Sequence, residues 1–398
     1  MLETADFVVI GCGPAGATAA REAARSGVDT VVLEKDRVVG EKRVCAAGLR
    51  PGFCGDFDLP ESLIHCTTPR LALFDAAGRE HELFFGPGHT TTREELDGTM
   101  AGLAASAGAS IRTGSLFRSV TSAGDRCVVE YADAAGGGRR HIAARNVFFA
   151  QGATAQLESR EPFSFDGWQR GLMTTLQHRV YLERPAAAIA YETLELHYYP
   201  GRDGRQIVAW MFPKRDHLAI GLGFIGKMPG AALRGELADF TSRVSRRLYP
   251  DVRVIAVKTE GHLLYGGWPR PRIGGDRTMV GGTAAGLVDA TNGEGIYEAA
   301  LSGRFAAEAV AASSNAEGAP ARYARRLRAR LHGRLSHRAA LMQYLQSKPR
   351  RYGMLFEQLA ATPRFARLLE REDCERNAGD RLYLIAQALR FFARSALA

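Results

Sequence analysis

Gly11-Cys12-Gly13-Pro14-Ala15-Gly16, close to the start of the chain, has the spacing that wraps a backbone turn around a diphosphate. Gly11 permits the tight turn, Gly13 lets the backbone approach the pyrophosphate, and Gly16 lets the next helix pack closely on the preceding strand. Pro14 and Ala15 complete the turn, and the helix opening there supplies N–H groups and a positive dipole end. Glu34, with Lys35 beside it, stands where a carboxylate can accept both hydroxyls of an adenosine ribose. That charge would repel a 2′-phosphate, so the expected ligand is a dinucleotide with an unmodified ribose. The motif alone leaves FAD and NAD open.

Local patterning supplies the elements such a turn requires. Phe7-Val8-Val9-Ile10 reads as a buried strand, Ala17 to Ser26 as an Ala-rich helix, and Thr30-Val31-Val32-Leu33 as a second strand. Arg93 to Ala107 looks helical. Val128 to Tyr131 and Asn146 to Ala150, joined through Gly136-Gly137-Gly138, suggest a hairpin returning to the sheet. From Met173 to His262 the pattern changes to alternating strands, Leu194 to Tyr199, Gln206 to Phe212 and Leu218 to Phe224, as in an antiparallel sheet. Thr278 to Gly282 is strand-like and Ile296 to Ser313 is an Ala-rich helix. Beyond Pro320 the chain reads as helical, broken near Pro349 and Pro363.

The bulk composition agrees with a globular chain. With 398 residues, 46% hydrophobic and 24% charged, it is too long for one simple core, and two lobes are expected. No apolar run approaches the roughly 20 residues of a spanning helix, and no secretory leader is visible, so a cytoplasmic location is expected. The six cysteines show no CxxC pair or metal-ligand spacing, which points to a reducing compartment and no structural metal. The net charge of +9 is uneven: between Gly318 and Phe356 there is no acid, while Arg322, Arg325, Arg326, Arg328, Arg330, Arg334, Arg338, Lys348, Arg350 and Arg351 crowd together. A solvated helix face is the leading explanation, ahead of contact with an anionic membrane or a phosphorylated substrate; nucleic acid is not expected.

Several segments resemble the geranylgeranyl reductase family, flavoproteins of the p-hydroxybenzoate hydroxylase fold, nearest to the branch acting on chlorophyll and bacteriochlorophyll pigments. Gly293-Glu294-Gly295-Ile296-Tyr297, then Ser302-Gly303-Arg304, is similar to the family's flavin-facing loop and helix. Trp210-Met211-Phe212-Pro213-Lys214, leading to Gly221-Leu222-Gly223, is similar to its YxWxFPK segment on the substrate side. Arg93-x-x-Leu96-Asp97 matches an arginine-bearing helix, and Arg43-Val44-Cys45-Ala46-Ala47-Gly48-Leu49 resembles its KxCGGGL loop.

The resemblance implies an α/β fold: a Rossmann-type FAD-binding domain (1–70, 93–160, 265–317), an inserted antiparallel β-sheet substrate domain (71–92, 161–264), and a basic C-terminal helical region (318–398). FAD contacts are expected at the turn, at Glu34 and Lys35, and at Arg43, Cys45, Ala46, Arg93, Gly152, Gly282, Thr283, Gly293, Gly295 and Ile296. Backbone N–H groups around Glu294 would face the flavin pyrimidine edge. Trp210, Phe212, Tyr199 and Val208 would line an apolar substrate site, and Cys45 would be the proton donor or relay, with NADPH or reduced ferredoxin as electron donor.

Four departures qualify this. Gln151 and Thr283 stand where the family has carboxylates, Val208 where it has tyrosine, and Ala46 and Ala47 where it has glycines. A neutral acceptor contributes about 1 kcal/mol against about 1.5–3 for a charged one, so FAD binding should be retained but weaker. Reduction of prenyl C=C bonds is the leading reading. A flavin monooxygenase or halogenase acting on an aromatic ring, and a flavin-binding protein with a decayed site, are the alternatives.

Overall fold

In the computed structural model the described residues are 2–41, 44–83, 88–133, 138–154, 168–184, 193–226, 228–313, 318–371 and 375–396. Arg43, the turn residues Gly136 and Gly137, and Cys374 lie outside them.

The first sheet grows from β1 (Glu3–Ile10), an apolar run with no polar side chain after Asp6. It is flanked by two parallel partners, β2 (Thr30–Leu33) and β11 (Arg139–Phe149), with Val8 opposite Val31 on one side and Val147 on the other. β8 (Ser110–Arg112) pairs outside β2, and β18 (Thr278–Val280) outside β11, both parallel. The remaining members, β9 (Ser115–Ala123), β10 (Arg126–Asp133) and β17 (Gly274–Gly275), add antiparallel edges. Helix α1 (Pro14–Arg25) begins earlier than the predicted Ala17, because proline is well tolerated at a first helical position.

The second sheet runs β16-β12-β15-β14-β13-β5-β6. Its strands are β5 (Arg70–Phe74), β6 (Glu80–Leu83), β12 (Leu172–Leu182), β13 (Thr193–Pro200), β14 (Gln206–Pro213), β15 (His217–Ile225) and β16 (Val254–Tyr265). Every pairing is antiparallel except β13 with β5. A third, small sheet joins β3 (Gly48–Leu49), β7 (Gly88–Thr90) and β4 (Cys66–Thr68), so Gly48 and Cys66 flank Thr90.

The other helices discussed are α2 (Phe53–Asp56), α3 (Arg93–Ser106), α4 (Gly230–Leu248), α5 (Ile296–Ala311), α6 (Gly318–Leu327), α7 (Gly333–Gln346), α8 (Arg350–Ala361), α9 (Pro363–Glu370) and α10 (Ala378–Ala396). α6 passes into α7 through a π-helical turn at Arg328–His332. Both expected breaks are present: Pro349 precedes α8, and α8 ends at Ala361 before Pro363 opens α9.

The basic block is not one solvated face. Arg334 is buried against Glu298, Arg338 reaches Asp289 at 3.4 Å, and Arg351 donates to the Tyr344 carbonyl at 2.9 Å. The balancing acids come from outside the segment, which is why its composition concealed them.

α1 and α5 approach so closely that backbone meets backbone. A Cβ added at Gly303 would lie 2.1 Å from the Ala15 carbonyl oxygen and 2.9 Å from the Ala19 nitrogen. Gly303→Ala should therefore destabilise the protein by about 1–3 kcal/mol through overpacking, measured by urea denaturation.

Candidate active site

Parallel strands place their carboxyl ends on one edge, where ligand crevices form in such sheets. Here β1 delivers Gly11, β2 delivers Glu34, β11 delivers Gly152 and β18 delivers Gly282 and Thr283 to that edge. Gly11 has φ 97°, in the left-handed region, and a Cβ there would strike the Ala150 carbonyl oxygen at 2.6 Å. A Cβ at Gly16 would fall 1.9 Å from the Gly11 oxygen, so the strand, turn and helix close only without one. Gly13 differs: the nearest atoms to its Cβ position are Arg93 Nη2 at 3.6 Å and Asp97 Oδ2 at 4.0 Å, which leaves the turn's outer surface open.

Glu34 is buried, and its carboxylate accepts from the Cys12 N–H at 2.7 Å and the Asp36 N–H at 2.9 Å. Lys35 beside it is half-buried. Pro14 and Ala15 form the first buried turn of α1. Arg93 makes a bidentate pair with buried Asp97, at 2.9 and 2.7 Å, on the α3 turn facing Gly13. Burial pulls this guanidinium down, but Asp97, with Cys45 adding to it, holds it above its ordinary range.

Two loops face each other across the mouth of this crevice. One spans Val44 to Pro51 and carries Cys45 and Ala46; the other runs from Ala290 to Ile296. Arg50 clamps them, donating through Nε to Glu294 and through Nη2 to Glu298, while its guanidinium lies 4.7 Å from the Tyr297 ring centroid. The expectation for Gly293 needs correcting. Its N–H donates to the Asp289 carbonyl at 2.8 Å, and the Glu294 N–H donates to Asn292 Oδ1 at 2.9 Å, so the loop's own turn uses both. The amides aimed outward are those at the start of α5, after Gly295, where N–H groups from Ile296 onward lack intrahelical acceptors.

Between the loops and the second sheet lies a cavity of about 330 Å³, walled mostly by apolar side chains. Strand alternation decides who faces it. On β14, Val208, Trp210 and Phe212 point into the cavity, while Ile207, Ala209 and Met211 pack with α4. On β13 the cavity face is Leu194, Leu196 and Tyr198. Tyr199, expected beside the substrate, has the opposite parity: its ring stacks near Phe240 of α4 and under Arg243. Tyr198 takes that place, donating to the Thr291 carbonyl at 2.8 Å. The parity of Leu194, Leu196 and Tyr198 was the available signal. Gly221 exists for the indole of Trp210, which would meet its Cβ at 2.2 Å; Trp210 Nε1 donates to Gln177 at 3.0 Å.

The roof was not foreseen. Leu341 and Leu345 of α7, Tyr352, Leu355, Phe356 and Leu359 of α8, and Leu369 of α9 close the cavity from the C-terminal region. No segment signature distinguishes such residues from ordinary helix cores.

A family model described as FAD dependent oxidoreductase matches residues 6–95. A geranylgeranyl diphosphate reductase of Synechocystis is 28% identical, over 87% of this chain and 82% of its own. A digeranylgeranylglycerophospholipid reductase 2 of Methanothermobacter thermautotrophicus is 30% identical, over 77% of this chain and 78% of its own. The chain belongs to the geranylgeranyl reductase family. Its fold matches a geranylgeranyl bacteriochlorophyll reductase-like protein of Thermoplasma acidophilum with a TM-score of 0.68 at 20% identity, covering 99% of each chain.

This geranylgeranyl reductase family member is an FAD-dependent oxidoreductase, and beside its Cys45 loop it also holds a buried lysine. Lys214 ends the Trp210 segment, is 1% exposed, and donates to the carbonyls of Ala46 and, at 3.4 Å, Ala47. Burial lowers its ammonium from an ordinary 10.5 to about 7. Between those values the unfolded chain holds a proton that the folded one has released, so this group's contribution to stability rises with pH. Lys214→Met removes that slope. Urea denaturation at pH 7 and pH 9 should show wild type gaining about 2 kcal/mol more than the variant.

Proposed function

We propose that this protein reduces C=C bonds of a prenyl chain of the geranylgeranyl type, with NADPH or reduced ferredoxin as the electron source. The carrying observation is the cavity: an apolar trench that begins at the Val44–Pro51 and Ala290–Ile296 loops and is lined by six of the seven strands of the second sheet, from Leu264 on β16 to Leu83 on β6. With strands about 4.8 Å apart, six steps span roughly 29 Å, a length suited to an extended chain more than to a single ring. The names of the two relatives above support the same substrate class.

The residues fit FAD. The Gly13 surface is open for a pyrophosphate, the glutamate for a ribose is buried in place, and the Gly293 Cβ position has only Leu264 Cδ2, at 3.5 Å, near it. Gly11, Gly13 and Gly16 with the amides of Pro14's helix would hold the diphosphate, Glu34 the ribose, and Arg93 with Gly282 and Thr283 the region between. Gly152 and the α5 amides after Gly295 would border the ring. When bound and reduced, FAD supplies hydride from N5.

The chain's own residues do the rest. An unactivated alkene has no carbonyl to polarise, so catalysis rests on alignment and on exclusion of water. Phe212 and Trp210 wall the trench beside the Cys45 loop, and the α7 and α8 side chains seal it. Cys45, half-buried and lining the cavity, gives the proton to the carbon that does not receive hydride. The decisive experiment is anaerobic: the dithionite-reduced protein should be reoxidised by a geranylgeranyl compound, with a saturated product gaining two hydrogens per double bond in mass spectrometry. Coupled O₂ uptake yielding an oxygenated aromatic would replace this reading with the oxygenase one, and a yellow protein doing neither would mark a decayed site.

We also propose that the substrate is collected at an anionic bilayer surface. On α10, Leu382, Ile385, Leu389 and Phe392 recur at helical spacing and are 68%, 55%, 65% and 40% exposed, while Phe391 on the other face is buried. Arg381, Arg390 and Arg394 are exposed on the same helix. No described helix is long and apolar enough to cross a membrane, so contact would be with the surface. The protein should sediment with phosphatidylglycerol vesicles at low salt and be released at high salt. Ile385→Glu with Leu389→Glu should abolish sedimentation, and failure of wild type to bind would remove the proposal.

A further inference from the structure

Lys214 carries no role in that mechanism, yet few buried groups are held so specifically. Buried ammonium groups are ordinarily paired with a carboxylate. Among the described residues Lys214 makes no ion pair; its Nζ instead donates to the carbonyl oxygens of Ala46 and Ala47, with the Phe212 ring centroid 5.8 Å away. These carbonyls belong to the loop carrying Cys45. Ala47 has φ 46°, a left-handed conformation costly for alanine, and its N–H donates to Cys45 Sγ at 3.2 Å. The lysine and the thiol therefore both engage Ala47, one through its carbonyl oxygen and one through its N–H. The position of Lys214 is itself fixed: its N–H donates to the His217 carbonyl at 2.8 Å, and Thr90 Oγ1 donates to the Pro213 carbonyl at 2.6 Å.

We infer that Lys214 is a positioning residue for Cys45, pinning the strained loop so that the thiol faces the cavity and placing a positive charge beside the sulfur. This rests on the proposed reduction only for the destination of the proton. In that step the S–H bond breaks, a C–H bond forms at the alkene carbon not reached by hydride, and the sulfur keeps the electron pair until water returns a proton. Hydride comes from the reduced flavin. Lys214 offsets the negative charge in the interval.

The charged and titratable groups around Lys214 are Cys45, Cys66 on β4, Glu94 on α3, Arg179 on β12 and His217 on β15. Glu94 and Arg179 pair with each other, and burial lowers His217 to about 4, leaving it neutral near neutral pH. Lys214 is therefore the group near Cys45 whose charge changes around pH 7, while Arg93, which also interacts with the thiol, stays charged.

The test is the rate at which iodoacetamide alkylates Cys45 in the purified full chain, read by peptide mass spectrometry across pH. Wild type, Lys214→Arg and Lys214→Met are compared. Below about pH 7 wild type should track the arginine variant, with the methionine variant, which lacks the cation beside the sulfur, about tenfold slower. Above that pH wild type should fall away from the arginine variant and join the methionine variant. Three superimposable profiles, or a wild type that follows one variant throughout, would overturn the inference. Because no turnover is measured, a protein that alkylates as expected but reduces no prenyl chain would sink the proposed reaction and leave this assignment standing.

Discussion

A single buried carboxylate ties the working parts of this molecule together. Glu298, fully buried in the first turn of α5, accepts from Arg50 of the cysteine loop and from Arg334 of α7. Through Arg50 the same cluster holds Glu294, and one turn along α7 Arg338 repeats the arrangement with Asp289. Taking such charges out of water is expensive, and well-packed apolar residues would often give equal stability. What the ions supply is register. Three segments remote in sequence meet here, and each arginine fork accepts only one geometry of its carboxylate. The Ala290–Ile296 loop, the cysteine loop and the roof of the cavity are thereby fixed relative to one another.

That arrangement gives the second sheet its division of labour. One face is an ordinary core against α4, with Ile207, Met211, Leu237 and Phe240. The other face has the same apolar composition but meets the C-terminal helices across a gap, because ion pairs at one end and the packing of Tyr198, Tyr352 and Phe356 within it hold the helices in place. An apolar space persists in a protein only where its walls cannot collapse. Here the walls are braced from outside the cavity, so an apolar ligand can replace the missing contacts.

What the sequence disclosed follows from how local each constraint is. The Gly11 turn, Glu34 and the flanking strands were legible because their conformational demands lie within about one βαβ unit. Trp210 and Phe212 were placed on one strand face and Val208 beside them by family resemblance, and all three line the cavity. Tyr199 faces away: of two adjacent tyrosines, strand parity brings Tyr198 to the cavity and turns Tyr199 to Phe240. Arg50, Arg334 and Lys214 were unreadable because each depends on a partner chosen by tertiary packing. The acid-free tail looked solvent-facing since Glu298 and Asp289, its counter-charges, belong to an earlier segment. Gly293 was placed in the correct loop with the wrong use for its amide, since the hydrogen bond closing the turn on Asp289 leaves no sequence trace.

The electrostatics near Cys45 follow from the same apolar setting. A cavity suited to a hydrocarbon chain cannot stabilise a charge in its centre, so any proton leaving its wall must leave its countercharge at the edge. The edge is built accordingly: Arg93, locked by Asp97, and Lys214, locked by carbonyls, both lie near the thiol. The two cations differ in a useful way. Arginine stays charged in any protein setting, whereas burial lowers Lys214 to about 7. The carbonyl anchors hold the lysine in place in either form, because a neutral amine still carries N–H donors, so its protonation state can change without displacing the loop.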